Sequence, residues 1–132
     1  MKKLFLIWYE PKILNEIGIL THDGSNYQFE YTNYNDNDLQ LFSKNGLFPG
    51  FLELNEKYES PCLFLSIKSR LPSRSRIDYE ELLKKQGVNN LSDEYEILKK
   101  TKGQISTDNF IFVTEEELER LKKENQEQNI NF

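Results

Sequence analysis

The sequence predicts an α+β fold, in which a small antiparallel sheet made of an N-terminal three-stranded meander plus a late strand packs against three to four short helices. Segments rich in aromatic and β-branched residues lie near the start of the chain, around the turn signal Asp23-Gly24. Apolar residues at helical spacing follow between residues 61 and 100, and a short apolar run returns at residues 109–113. We expect the helices to cover one face of the sheet.

The first strands are indicated by their length and by alternation. Leu4–Tyr9 is too short for a typical helix and is followed by Pro11, which has no backbone donor. Glu16–Leu20 and Tyr27–Thr32 flank Asp23-Gly24 and form a predicted hairpin with a turn of the primed type. Because side chains alternate along a strand, one face of the second hairpin strand is aromatic. Its members are Tyr27, Phe29 and Tyr31.

A first helix is predicted after residues 39–58, which carry no clear pattern. Ser60-Pro61 is typical of a helix start, since serine caps the free N–H groups and proline fits the first helical position. Pro72 would end this helix. Its buried stripe would contain Leu63, Phe64 and Ile67.

Two further helices are bounded by glycines. Ser75–Gln86 carries apolar residues at helical spacing and precedes Gly87, a common helix stop. Ser92-Asp93-Glu94 places acidic residues at the positive end of the next helix, which ends at Gly103.

The C-terminal part combines a strand with a polar helix. Asn109–Val113 reads as a strand, and Thr114 with Glu117 is typical of a capping box. The helix that follows has a thin apolar stripe of Leu118 and Leu121, so we expect a partner to order it. We therefore divide the chain into a domain at residues 1–113 and a C-terminal helix with a frayed polar tail at residues 114–132, the fraying beginning at residue 124.

Charge and cysteine content restrict the class of protein. The chain has 132 residues, with 22 Asp and Glu against 17 Lys and Arg, giving a net charge of −5. A negative chain is unsuited to nonspecific binding of nucleic acid or anionic membrane, so a protein partner is favoured, a basic one in particular. The single cysteine, Cys62, excludes an internal disulfide, and its apolar neighbours predict a buried thiol. No apolar stretch approaches the length of a membrane span, and we expect a cytoplasmic protein.

Residues suited to catalysis are sparse. The single histidine, His22, lies beside the predicted turn and far in sequence from Cys62, which leaves too few ligands for zinc and no nucleophile pair. Glu80-Glu81 and Glu115–Glu117 lie near helix N-termini, where the helix dipole accounts for them. The glycines form no phosphate-binding motif. We predict no enzyme activity, no catalytic residues, no metal site and no cofactor.

Two groups of residues are candidates for partner binding. The basic residues Lys68, Arg70, Arg74 and Arg76 surround Pro72. Their arginines either cap carbonyls and pair with Asp78 and Glu80 in a solvated connection, or present guanidinium groups to carboxylates or phosphates of a partner. Aromatic residues form the second group, and we expect Phe48 and Phe51, around Pro49-Gly50, to protrude as a contact. The other aromatic candidates are Trp8, Tyr9, Tyr34 and Tyr58.

The order of several segments resembles the N-terminal subdomain of HipA-type toxin kinases. The hairpin pattern G-x-L followed by Y-x-F-x-Y opens the resemblance at Gly18–Leu20 and Tyr27–Tyr31, and the whole match extends from Leu4 to Val113. The later segments are Leu63–Pro72, Arg76–Tyr79, Thr101–Gly103 and Phe110–Val113.

The resemblance implies a function without catalysis. In HipA-type proteins a kinase core follows this subdomain, whereas this chain stops at Phe132, and it therefore resembles HipS of the bacterial HipBST toxin–antitoxin systems. Such a protein would bind a HipA-like Ser/Thr kinase in trans and restrain it. A similar block precedes HIRAN domains, so an accessory nucleic-acid module is one alternative. A phage or mobile-element inhibitor of a defence nuclease, which would bind a basic nucleic-acid-binding protein, is another.

Overall fold

A computed structural model describes residues 2–10, 13–32, 48–51, 53, 56–73, 75–88, 93–106 and 108–130, and shows the α+β fold. In this part of the chain one antiparallel sheet has the strand order β4-β3-β2-β1-β5. Its strands are β1 (Lys2–Glu10), β2 (Ile13–His22), β3 (Tyr27–Tyr31), β4 (Lys57–Ser60) and β5 (Phe110–Val113). The helices are α1 (Leu65–Lys68), α2 (Tyr79–Lys85), α3 (Glu94–Thr101) and α4 (Glu115–Ile130). The N-terminal meander and the late strand therefore share one sheet, as the sequence predicts.

The hairpin between β2 and β3 has a longer turn than predicted. His22 pairs with Tyr27, so four residues make the connection rather than the two of a primed turn. The Asp23 carboxylate accepts hydrogen bonds from the backbone N–H groups of Ser25 and Asn26, at 2.8 and 2.7 Å. The Asp23 N–H also donates to the Asn26 carbonyl oxygen at 3.2 Å, so side-chain and backbone hydrogen bonds close the turn together.

Strand β4 is absent from the sequence prediction, and it displaces the start of the first helix. Ser60 ends β4, where we expected it to cap a helix, and α1 begins only at Leu65. Tyr58 lies opposite Phe29 in the ladder between β4 and β3 and packs against the core, which favours the extended backbone here. Cys62 consequently lies in an exposed connection, so the predicted buried thiol is wrong.

The main core lies between the inner face of the sheet and the helices α1 and α3. Phe29 is fully buried in the sheet, as the predicted aromatic face requires. Ile67 from α1 and Leu98 from α3 are buried in the same core cluster as Phe29. The Tyr95 hydroxyl of α3 donates to the Lys3 carbonyl oxygen at 3.2 Å, which ties the helix layer to β1.

The outer face of the sheet is also covered, contrary to the expectation of a single covered face. The register of β1 against β2 shifts by one residue between Leu6 and Ile7, at the point where β1 contributes Ile7 to the outer face. Ile7 and Val113 are buried there against Leu118 of α4. Helix α4 is thus packed on the sheet, where we expected a partner to order it, and it continues to Ile130, where we expected a frayed tail from residue 124.

Helix α2 is shorter than the predicted Ser75–Gln86 and packs in a smaller cluster of Tyr79, Leu83 and Ile97. The helix begins at Tyr79, and the Asp78 carboxylate at its N-cap position bonds Arg76 and makes no capping hydrogen bond. Among the described residues, no helix is both long enough and apolar enough to cross a membrane.

Candidate protein-interaction site

Arg70 holds together the connection between α1 and α2, residues 69–78, which we name the elbow. Arg70 is 7% exposed, and its side chain extends to the segment around β5. Nε donates to the Gly103 carbonyl oxygen at 2.7 Å, and Nη2 donates to the Phe110 carbonyl oxygen at 3.1 Å. Nη1 and Nη2 meet the two carboxylate oxygens of Asp108 at 2.8 and 2.6 Å. Arg70 therefore fixes the elbow to the segment before β5, and the prediction that it contacts a partner is wrong.

The Asp108 carboxylate is held in its charged form. Burial opposes ionisation, but the hydrogen bonds from Arg70 and from the Phe110 backbone, with the positive charge of Arg70, outweigh it and lower the pKa of Asp108. A bidentate, charge-assisted pair of this kind has a defined geometry. The guanidinium also lies 5.3 Å from the centre of the Phe48 ring. Arg70 thus ties the end of α1 to the segment around β5.

Phe48 and Phe51 are buried, so the prediction that they protrude as a contact is wrong. Both are at most 1% exposed. The Phe51 ring stacks on Phe29 with 4.1 Å between ring centres, and the Phe48 ring meets the edge of Phe110 at 5.1 Å. The Tyr31 hydroxyl donates to the Phe51 carbonyl oxygen at 2.6 Å, which holds the turn inward. The Pro49-Gly50 turn therefore inserts two rings into the core.

The remaining basic candidates have different positions. Arg74 lies outside the described residues. Arg76 is exposed and its Nε donates to an Asp78 carboxylate oxygen at 2.5 Å, which agrees with the solvated interpretation. Lys68 is exposed, with its Nζ 3.5 Å from a carboxylate oxygen of Glu94.

The other chemically notable residues lie apart from the elbow. The His22 ring stacks on Tyr27 at the end of the hairpin, with 4.1 Å between ring centres. Glu117 pairs with Lys102 and Arg120 on the outer side of the molecule. Across the described ranges, no three His, Cys, Asp or Glu side chains are grouped so as to hold a metal. Trp8, Tyr9 and Tyr58 are half-buried against the two sides of the sheet.

Two exposed apolar residues on or beside the elbow were missed by sequence reasoning. Leu65, on α1, is 80% exposed, and Ile77, before α2, is fully exposed. A cleft of about 400 Å³ lies beside Leu65, between α1 and the strand β4, and is lined largely by apolar side chains. The sequence placed Leu65 inside an apolar run, where nothing distinguishes an exposed position from buried Leu63 and Ile67.

A larger cleft of about 790 Å³ lies on the other side of the elbow, among α1, α2 and α3. Leu71, Pro72 and Ile97 are among its apolar lining residues. Polar groups also line it: Tyr27, Tyr79, Lys68, Asp93 and Glu94. Burial, followed by the negative charges of Asp93 and Glu94, raises the pKa of Tyr27. The cleft thus combines apolar walls with two carboxylates.

Comparison of the chain with protein-family models, with curated proteins and with solved structures found no match. The functional proposal therefore rests on the residues of the chain and on the resemblance described above.

Proposed function

We propose that this chain is a noncatalytic protein-interaction module of the HipS-like kind, which binds a HipA-like Ser/Thr kinase in trans and restrains its toxicity. The observation that carries the proposal is the exposure of Leu65 and Ile77 on either side of Arg70, which is anchored to the core. An exposed apolar side chain gains free energy when a partner covers it and removes it from water. Such residues are typical anchors of a protein interface.

The resemblance to the HipA N-terminal subdomain supports the kinase as the partner. Arg70 lies in the resembling segment Leu63–Pro72 and bonds the carbonyl of Phe110 in another such segment. The two segments therefore belong to one packed unit, with the elbow at its surface. In HipA-type proteins the corresponding subdomain packs against the kinase core, and a separate copy is suited to occupy the same surface.

The charge distribution favours a protein partner over nucleic acid. Of the basic residues around Pro72 that the structure describes, Arg70 is buried, and Lys68 and Arg76 pair with Glu94 and Asp78. Each exposed cation among these described residues lies beside a carboxylate, which would repel phosphates. The nuclease-inhibitor alternative also involves a protein partner, and it differs in predicting a basic surface on that partner and loss of binding at high salt.

The test is a binding measurement between the purified chain and a HipA-like kinase from the same genome. The double variant Leu65→Ser/Ile77→Ser should raise Kd about 100-fold, because the two side chains together contribute about 3 kcal/mol when buried at an interface. The matched control is Glu116→Ser/Glu119→Ser, two exposed residues of α4, which should bind like the parent. Equal affinities for the two double variants would exclude the elbow as the interface, and no binding of the parent chain would refute the proposed function.

A further inference from the structure

The cleft among α1, α2 and α3 is lined by two tyrosines whose hydroxyl groups have no hydrogen-bond partner among the described residues. Tyr27 is 7% exposed and Tyr79 is 8% exposed, and both line the cleft. Neither hydroxyl makes a hydrogen bond within the described part of the chain. A buried hydroxyl without a partner is costly, and tyrosine O–H groups usually find one when buried. A ligand that enters the cleft would supply the missing partners.

The charges at the cleft select the type of ligand. Asp93 and Glu94 contribute two carboxylates, and Lys68 contributes one cation. Burial, and then the negative charges of Asp93 and Glu94, raise the pKa of the Tyr27 hydroxyl, and all three residues line the same cleft. The Lys68–Glu94 contact is 3.5 Å long and its lysine is more than half exposed, so an entering cation can replace it at small cost. Asp93 Oδ1 accepts a hydrogen bond from the Glu96 N–H at 2.8 Å, and Asp93 Oδ2 lies 3.8 Å from Nζ of the exposed Lys2. An entering cation therefore competes with Lys2 and Lys68 for the two carboxylates, whereas an anion would be repelled by both carboxylates.

We propose that this cleft binds an arginine side chain of a protein partner, with its guanidinium group between the carboxylates of Asp93 and Glu94 and the hydroxyls of Tyr27 and Tyr79. A guanidinium group donates several hydrogen bonds in one plane, which matches two carboxylates and two hydroxyl acceptors. Its flat face also stacks on tyrosine rings, and its methylene stem fits the apolar wall formed by Leu71 and Ile97. The cleft volume of about 790 Å³ leaves room for the residues next to the arginine.

This inference deepens the proposed function, on which it rests for the protein partner, and it adds the chemistry of the contact. The partner segment that covers the elbow would carry an exposed arginine at the position facing α3. The net charge of −5 favours such a partner at longer range.

The experiment titrates the whole chain with N-acetyl-arginine N-methylamide and follows backbone amide signals by NMR, so it needs no kinase. We expect saturable binding with Kd of about 1 mM, with shifts at Tyr27, Tyr79 and Glu94. The citrulline counterpart has the same shape without the charge and should bind at least about tenfold more weakly. Tyr27→Phe, which keeps the ring stacked on His22, and Glu94→Gln should each weaken arginine binding about tenfold. Glu119→Gln on α4 is the control and should leave it unchanged.

Absence of saturation up to about 50 mM, beyond the millimolar range of weak binding, would overturn the inference. Equal affinity for the arginine and citrulline compounds would also overturn it. Parent-like arginine affinity in both Tyr27→Phe and Glu94→Gln would overturn it as well. Should Tyr27→Phe fold poorly, the substitution Glu94→Gln at a half-buried position carries the test alone. Kinase binding by a chain that fails the arginine titration would remove the arginine site and leave the proposed function standing. Arginine binding by a chain that does not bind the kinase would support the arginine site and refute the proposed function.

Discussion

Replacement of Arg70 by Met should be among the most damaging single changes in this protein. Met keeps an apolar stem of similar length and removes the guanidinium group. The Asp108 carboxylate then remains partly buried without its partner, and the carbonyls of Gly103 and Phe110 each lose a donor. Breaking a buried ion pair from one side costs about 3–5 kcal/mol. The whole domain is stable by about 5–15 kcal/mol, so this loss is a large fraction.

Urea unfolding, followed by fluorescence of the single tryptophan Trp8, measures this loss directly. We expect the unfolding midpoint of Arg70→Met to fall with an unchanged m-value, and the melting temperature to drop by about 10–20 °C. Arg70→Lys should recover only part of the stability, since an ammonium group cannot form the two-armed contact. The matched control is Arg76→Met. Loss of its exposed pair with Asp78 should change the free energy of unfolding by less than about 0.5 kcal/mol. Equal losses in Arg70→Met and Arg76→Met would refute the anchoring role of Arg70.

Three further predictions concern the same core and the absence of catalysis. The pKa of Asp108 is lower in the folded than in the unfolded chain, so its charged form contributes stability above the unfolded pKa of about 3.9, and this contribution is lost as pH falls through the folded pKa. In urea titrations, the free energy of unfolding should therefore fall less steeply at acid pH for Asp108→Asn than for the parent. Phe29→Ala should cost about 3–5 kcal/mol, since the ring is fully buried, and an unchanged melting temperature would contradict its position on the inner face. The purified chain should neither bind nor hydrolyse ATP, and saturable heat on ATP titration by calorimetry would contradict the noncatalytic proposal.

The hairpin and the late strand could be predicted because their signals are local. Alternating side chains placed Tyr27, Phe29 and Tyr31 on one face, and all three are buried. Strand β4 has weaker local signals, since Lys57 and Glu59 flank Tyr58 and a serine-proline pair follows. Its extended conformation depends on pairing with β3, a contact distant in sequence that no local pattern displays.

The candidate site could be predicted only as a region. The cluster of basic residues around Pro72 marked the elbow, but the individual roles depended on partners far along the chain. The Arg70 side chain points inward because the Asp108 carboxylate and two backbone carbonyls accept its hydrogen bonds there. These acceptors lie about forty residues further along the chain, where no local pattern links them to Arg70. The positions of Phe48 and Phe51 also depend on residues distant in sequence. The proline-glycine turn between them suggested a protruding tip, but both rings pack in the core beside Phe29.

Co-expression with a HipA-like kinase from the same genome tests the central proposal most directly. A toxic kinase should arrest growth when expressed alone, and the chain should restore growth and co-purify with the kinase as a stable complex. Leu65→Ser/Ile77→Ser should fail on both counts while remaining folded. Growth arrest that persists despite abundant soluble chain, together with no co-purification, would contradict the antitoxin proposal and favour an inhibitor of a different, basic target.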